Sequence, residues 1–130
     1  MEPVQNPSKN MIRTGWALSL LAALFFAFDG ISKIMTVEPV IAEMTRLGFP
    51  ESTIVGVGIL LLTCTIIYIY PRTAIVGAIL LTGYLGGAIA THVRMESPLF
   101  SHTLFPLYLG LMVWGGLYLR NLSVRNLNPI

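Results

Sequence analysis

The sequence predicts an all-α integral membrane protein: a bundle of four transmembrane helices, with a short amphipathic helix between the first and second spans. Three observations lead there. The 130 residues are 55% hydrophobic and only 11% charged, whereas about a quarter of a typical soluble domain is charged. The mean hydropathy is +0.75. Apolar stretches able to cross roughly 30 Å of hydrocarbon recur four times between short polar segments. The same composition excludes other classes. Net charge +2 comes from eight basic and six acidic residues with no basic stripe, which argues against nucleic acid as a partner. The single cysteine, Cys64, excludes a disulfide scaffold, and the apolar content excludes disorder.

Residues 1–10 (MEPVQNPSKN) read as a loose polar tail. The first span covers about 12–35 and contains the uncharged run WALSLLAALFFAF. Lys9 and Arg13 precede it as in a signal peptide, but FFAFDG lacks a small-x-small cleavage site, so the span is expected to be retained. Residues 36–48 are too short to cross. Val40, Ile41, Met44 and Leu47 share one helical face there, which predicts a short helix lying at the interface or tucked against the bundle, capped by Thr36 and ended by Gly48. Pro50 restarts the chain, and the second span covers 52–70. Tyr68 and Tyr70 at its end suit the membrane–water boundary. The Pro71-Arg72 turn is so tight that the third span, 73–93, must run antiparallel beside the second. The fourth covers 103–119, with Pro106 near its start, and 121–130 form a basic tail. No repeat divides the chain, so the predicted unit is one domain over 11–120.

Four spans place both termini and the Pro71-Arg72 turn on one side. That side carries Lys9, Arg13, Arg72, Arg120 and Arg125 against Glu2. The other carries Lys33, Arg46 and Arg94 against Asp29, Glu38, Glu43, Glu51 and Glu96. Basic residues stay cytoplasmic, so the termini are expected in the cytoplasm and the acidic edge outside a bacterial inner membrane. In the third span, Gly83, Gly86, Gly87 and Ala90 form two overlapping rows of small residues, which let helix backbones approach closely. Packing inside the bundle is the expected use, with Gly56 and Gly58 or Gly115 and Gly116 receiving the row; a homodimer seam is the alternative.

Few residues can carry chemistry. Asp29 and Lys33 are four apart near the outer end of the first span, the spacing of a helix-surface ion pair. The pair either reaches to the interface or forms a ligand or proton site, since ionisable groups in membranes usually face the bundle interior. Tyr84 lies two turns before His92 on one face; His92, Arg94 and His102 bracket the outer loop. If that face turns inward, Tyr84 and His92 share a groove with Asp29. A histidine there can act as acid, base or ligand; the plainer reading is a hydrogen-bonded interfacial side chain. No metal is expected, because the two histidines lack ligand spacing. Cys64 sits in apolar surroundings that keep a thiol inert. The sequence has no phosphate loop, nucleophile elbow or CxxC, and no charges at mid-bilayer that would mark a pore.

The stretch Tyr68-Ile69-Tyr70-Pro71-Arg72 through His92-Val93-Arg94 closely resembles the DoxX-like family. So does the ending from Phe105-Pro106 to Trp114-Gly115-Gly116-Leu117-Tyr118-Leu119-Arg120, and Asp29-Gly30-Ile31-Ser32-Lys33 is similar to that family's motif near the end of the first span. The resemblance covers most of residues 15–125 and implies a four-helix membrane bundle. For activity it implies a range: subunits of quinone-linked thiosulfate oxidation, membrane partners of redox-stress proteins and, more distantly, chaperones of receptor assembly. Many related sequences carry a glutamate three residues after a glycine in the second span; after Gly58 that position is Leu61 here.

Two function classes follow. The first is a non-catalytic subunit or assembly partner of a membrane complex. The second is a redox-linked subunit or small enzyme that holds a quinone or another lipophilic molecule in the outer half of the bundle, with Asp29, Lys33, Tyr84, His92, Arg94 and His102 as candidate ligand-binding residues. A cavity between the first and third spans would distinguish them.

Overall fold

The computed structural model describes residues 9–120, apart from the side chains of Ser101 and His102. The expected tails therefore lie outside the described residues, except Lys9 and Asn10, which begin the first helix. The described residues form five α-helices: α1 (Lys9–Met35), α2 (Glu38–Arg46), α3 (Ile54–Ile69), α4 (Ala74–Arg94) and α5 (Phe105–Arg120). A 3-10 turn, Glu51–Thr53, leads into α3, and a π-helical turn, Leu99–Thr103, precedes α5. Lys9–Met35, Glu51–Ile69 and Ala74–Arg94 are long and apolar enough to cross a membrane. The sixteen residues of α5 rise only about 24 Å. Pro106 sits in its first turn, where a missing N–H costs nothing, and the chain before it is wound differently.

α1 packs against α3 and α5, and α4 packs against the same two helices. Where backbones come closest, glycine is the reason. A Cβ on Gly58 would lie 2.7 Å from the carbonyl oxygen of Gly30, joining α3 to α1; one on Gly116 would lie 2.5 Å from Ser19 Oγ, joining α5 to α1. A Cβ on Gly77 would overlap the backbone nitrogen of Tyr68, at the tight turn between α3 and α4.

The expected small-residue seam is not where the helices of this chain meet. A Cβ on Gly83, Gly86 or Gly87 would meet nothing within 4 Å, and Ala90 is exposed. Gly58 and Gly116 do pack, but on α1; Gly56 and Gly115 face open space. The cause is the path of α3. It lies tightest on α4 at the Tyr68–Gly77 end and is drawn onto α1 at Gly58, and Gly83 and Gly87 of α4 are left uncovered.

Tyr68 also departs from expectation. It is fully buried, not placed at a boundary, whereas Tyr70 is 55% exposed. Tyr68 OH donates to the carbonyl of Val113 at 2.7 Å. Its single proton thus used, it accepts from Ser19 Oγ at 2.9 Å. Ser19 Oγ in turn accepts from Arg120 Nε at 2.8 Å. The Arg120 guanidinium lies over the Trp16 and Tyr68 rings, 4.2 Å and 5.0 Å from their centroids. A chain of oriented donors therefore ties α1, α3 and α5 together at the basic end.

α2 turns its apolar face inward. Met44 and Leu47 are buried, and Val40 and Ile41 half-buried. Thr36 does not cap it: Thr36 adopts φ +50 in the turn after α1 and bonds the Met35 carbonyl, and Val37 is the N-cap. Gly48, at φ +91, ends the helix in the left-handed region that glycine tolerates. Arg46 clasps both carboxylate oxygens of Glu43, at 2.7 and 3.1 Å, which pushes the guanidinium pKa above its ordinary value.

Candidate functional site: a cavity beneath α2

Away from the basic end, a cavity of about 600 Å³ lies between the helices, beneath α2. α1 supplies Phe25, Phe26, Asp29 and Lys33; α3 supplies Val57 and Leu60. α4 supplies the stretch from Gly83 to Leu85, then Gly87, Ala88, Thr91 and His92, and α5 supplies Phe105, Pro106 and Leu109. α2 forms a roof with Val40, Glu43 and Met44, continued by Leu47 and Phe49. The walls are predominantly apolar, so the few polar groups stand out.

Asp29 and Lys33 form the first of these. One helical turn brings Lys33 Nζ to 2.6 Å from Asp29 Oδ1. The Lys33 side chain is 8% exposed and that of Asp29 33%, so the pair turns into the protein and does not reach out to the interface. An ammonium has three N–H donors. Asp29 takes one of those on Lys33, and the other two have no partner among the described residues. Tyr84 is the second. It lines the cavity half-buried, and its hydroxyl makes no hydrogen bond among the described residues. His92 is the third, with Nδ1 and Ser97 Oγ 3.0 Å apart.

Four of the six candidate residues, Asp29, Lys33, Tyr84 and His92, thus line one cavity. Arg94 is not in its wall. It reaches across to α2 instead, where Nη2 donates to the carbonyl of Leu47 at 2.9 Å and holds down the end of the roof. The side chain of His102 lies outside the described residues. Of the row Gly83, Gly86, Gly87 and Ala90, Gly83 and Gly87 line the cavity. The aromatic part of the wall was not singled out in the sequence. Phe25 and Phe105 meet edge to face at 5.2 Å, an α1–α5 contact that nothing in an uninterrupted apolar run announces.

The geometry suits binding more than bond-making: a neutralised ion pair with spare donors, a phenol and an imidazole around an apolar volume. A family model described as the DoxX-like family matches residues 17–116. The chain belongs to the DoxX-like family. The matched part of this DoxX-like chain includes every wall of the cavity and the turn between α3 and α4, but stops short of Arg120. No curated protein and no solved structure matches it.

Proposed function

We propose that this DoxX-like protein is a four-helix integral membrane protein that binds a lipophilic small molecule beneath α2. The cavity carries this reading. Small-molecule sites are mostly apolar volumes of roughly 300–1,000 Å³ with a few convergent polar groups, and this one holds about 600 Å³. α5, extended by the turn before it, serves as the fourth crossing, and both termini lie in the cytoplasm.

The polar groups select the ligand's head. Asp29 already neutralises Lys33. A carboxylate head would bring a second negative charge beside Asp29 in a place of low dielectric, where like charges repel strongly. A neutral acceptor meets no such penalty and can take hydrogen bonds from the spare donors of Lys33 and from Tyr84. A ring carbonyl, as in a quinone, has that chemistry, and an alkyl tail suits the apolar walls. This favours ligand binding over a purely scaffolding role as a partner subunit.

The test is equilibrium binding of a decyl-substituted benzoquinone to the purified protein in nanodiscs, corrected for partition into empty discs. Saturable binding is expected. Tyr84→Phe and Lys33→Met should each weaken it by about three- to tenfold, the worth of one hydrogen bond. Decanoate should compete poorly. Binding that never saturates, or that neither substitution changes, would refute the proposal.

A further inference from the structure

We infer that the cavity is loaded sideways from the hydrocarbon, through a gap between α3 and α4 of which Gly83 and Gly87 form one edge. The inference rests on the ligand-binding reading above.

Each other side is closed by a contact. α2 covers the top, with Met44 and Leu47 buried and Leu47 anchored by Arg94. α1 and α3 touch at Gly30 and Gly58. The Phe25 and Phe105 rings meet between α1 and α5. Between α4 and α5, Trp114 Nε1 donates to Thr82 Oγ1 at 2.7 Å, and Leu109 is buried. α3 and α4 are tightest at the Tyr68–Gly77 end. Beyond it Gly83 and Gly87 line the cavity, yet a side chain there would meet nothing within 4 Å. Across the gap, Leu60 belongs to the same wall and is 55% exposed. Residues of the cavity wall therefore reach the outer surface of the helices on this side.

That surface is apolar, which makes it a lipid face. A lipophilic ligand is concentrated in the hydrocarbon and not in water, so a gap opening there is its shortest route. Glycine on one edge keeps the gap free of side chains, which accounts for small residues at positions where no helix of this chain packs.

Bulk can be added at this edge without a clash inside the chain, and this makes the test clean. Exchange of a fluorinated decyl-benzoquinone in nanodiscs is followed by fluorine NMR. Gly83→Trp and Gly87→Trp should slow loading and release together by about tenfold, as for binding that must await an opening. Leu60→Ala should speed both. Gly86→Trp, equally unhindered but outside the cavity wall, should exchange like the unaltered protein. Unaltered exchange in the Gly83 and Gly87 variants would overturn the portal while ligand binding stands. So would a lost affinity without slowed exchange, or equal slowing by Gly86→Trp. If the unaltered protein binds no probe, both readings fall.

Discussion

Lys33 is a cation almost wholly withdrawn from solvent, and a single carboxylate balances it. The two partners are unequally placed, so their removal should cost unequal amounts. Asp29→Asn strands an ammonium that is 8% exposed; Lys33→Met leaves a carboxylate that keeps 33% exposure and some access to water. An unpaired buried charge costs several kcal/mol, and replacing both partners costs less than replacing one. Thermal unfolding in a mild detergent should therefore rank Asp29→Asn as more destabilising than Lys33→Met, with Asp29→Asn/Lys33→Met recovering part of the loss. Additive losses would show that the two charges do not support each other. At the opposite end, Ser19→Ala should lower stability by about 1–3 kcal/mol, because it leaves Arg120 Nε without its acceptor and Tyr68 OH with the Val113 carbonyl alone. Ser19→Thr tests the same bond with the hydroxyl kept.

Glycine has opposite meanings at two positions of α4. Gly77→Ala places a methyl group on the backbone of Tyr68 and should prevent α3 and α4 from closing their turn, giving a large fall in Tm or no folded protein. Gly83→Ala meets open space and should be neutral, or stabilising by up to about 1 kcal/mol through helix propensity. A matched pair of melting curves checks both. The contrast also explains what could be read from the residues. The all-helical class and the long apolar helices follow from composition and run length. The inward face of α2 follows from the 3.6-residue spacing of Val40, Ile41, Met44 and Leu47. Asp29 with Lys33, and Tyr84 with His92, were legible as pairs because each repeats at whole helical turns. Which helix touches which was not legible: lipid-facing and protein-facing positions are equally apolar in a membrane, so a row of glycines marks a close approach and a gap alike. Tyr68 was misplaced for a related reason. Its hydrogen-bond partners, Ser19 and the Val113 carbonyl, lie 49 and 45 residues away in sequence.

Across the whole molecule, charge and space are divided between two ends. The described residues of one end carry Lys9, Arg13, Arg72 and Arg120 and no carboxylate; the other carries all the described acids, together with the cavity and its roof. The proposal places the basic end in the cytoplasm, and single cysteines in a Cys64→Ser background test it. In intact spheroplasts a membrane-impermeant thiol reagent should label Glu96→Cys and not Arg72→Cys, and the reverse pattern would invert the orientation.

The tie between Arg120 and its aromatic neighbours also has a spectroscopic consequence. The chain has two tryptophans, Trp16 and Trp114, and neither lines the cavity. Trp16 lies against a guanidinium near the start of α1, about 20 Å along the helix from Asp29; Trp114 is held by Thr82. The wavelength of indole emission therefore reports the packing of the basic end and the α4–α5 contact, not the cavity. Arg120→Ala should shift the emission maximum, while filling the cavity leaves it in place. The protein thus carries an internal gauge of its fold that is blind to whether the cavity is filled.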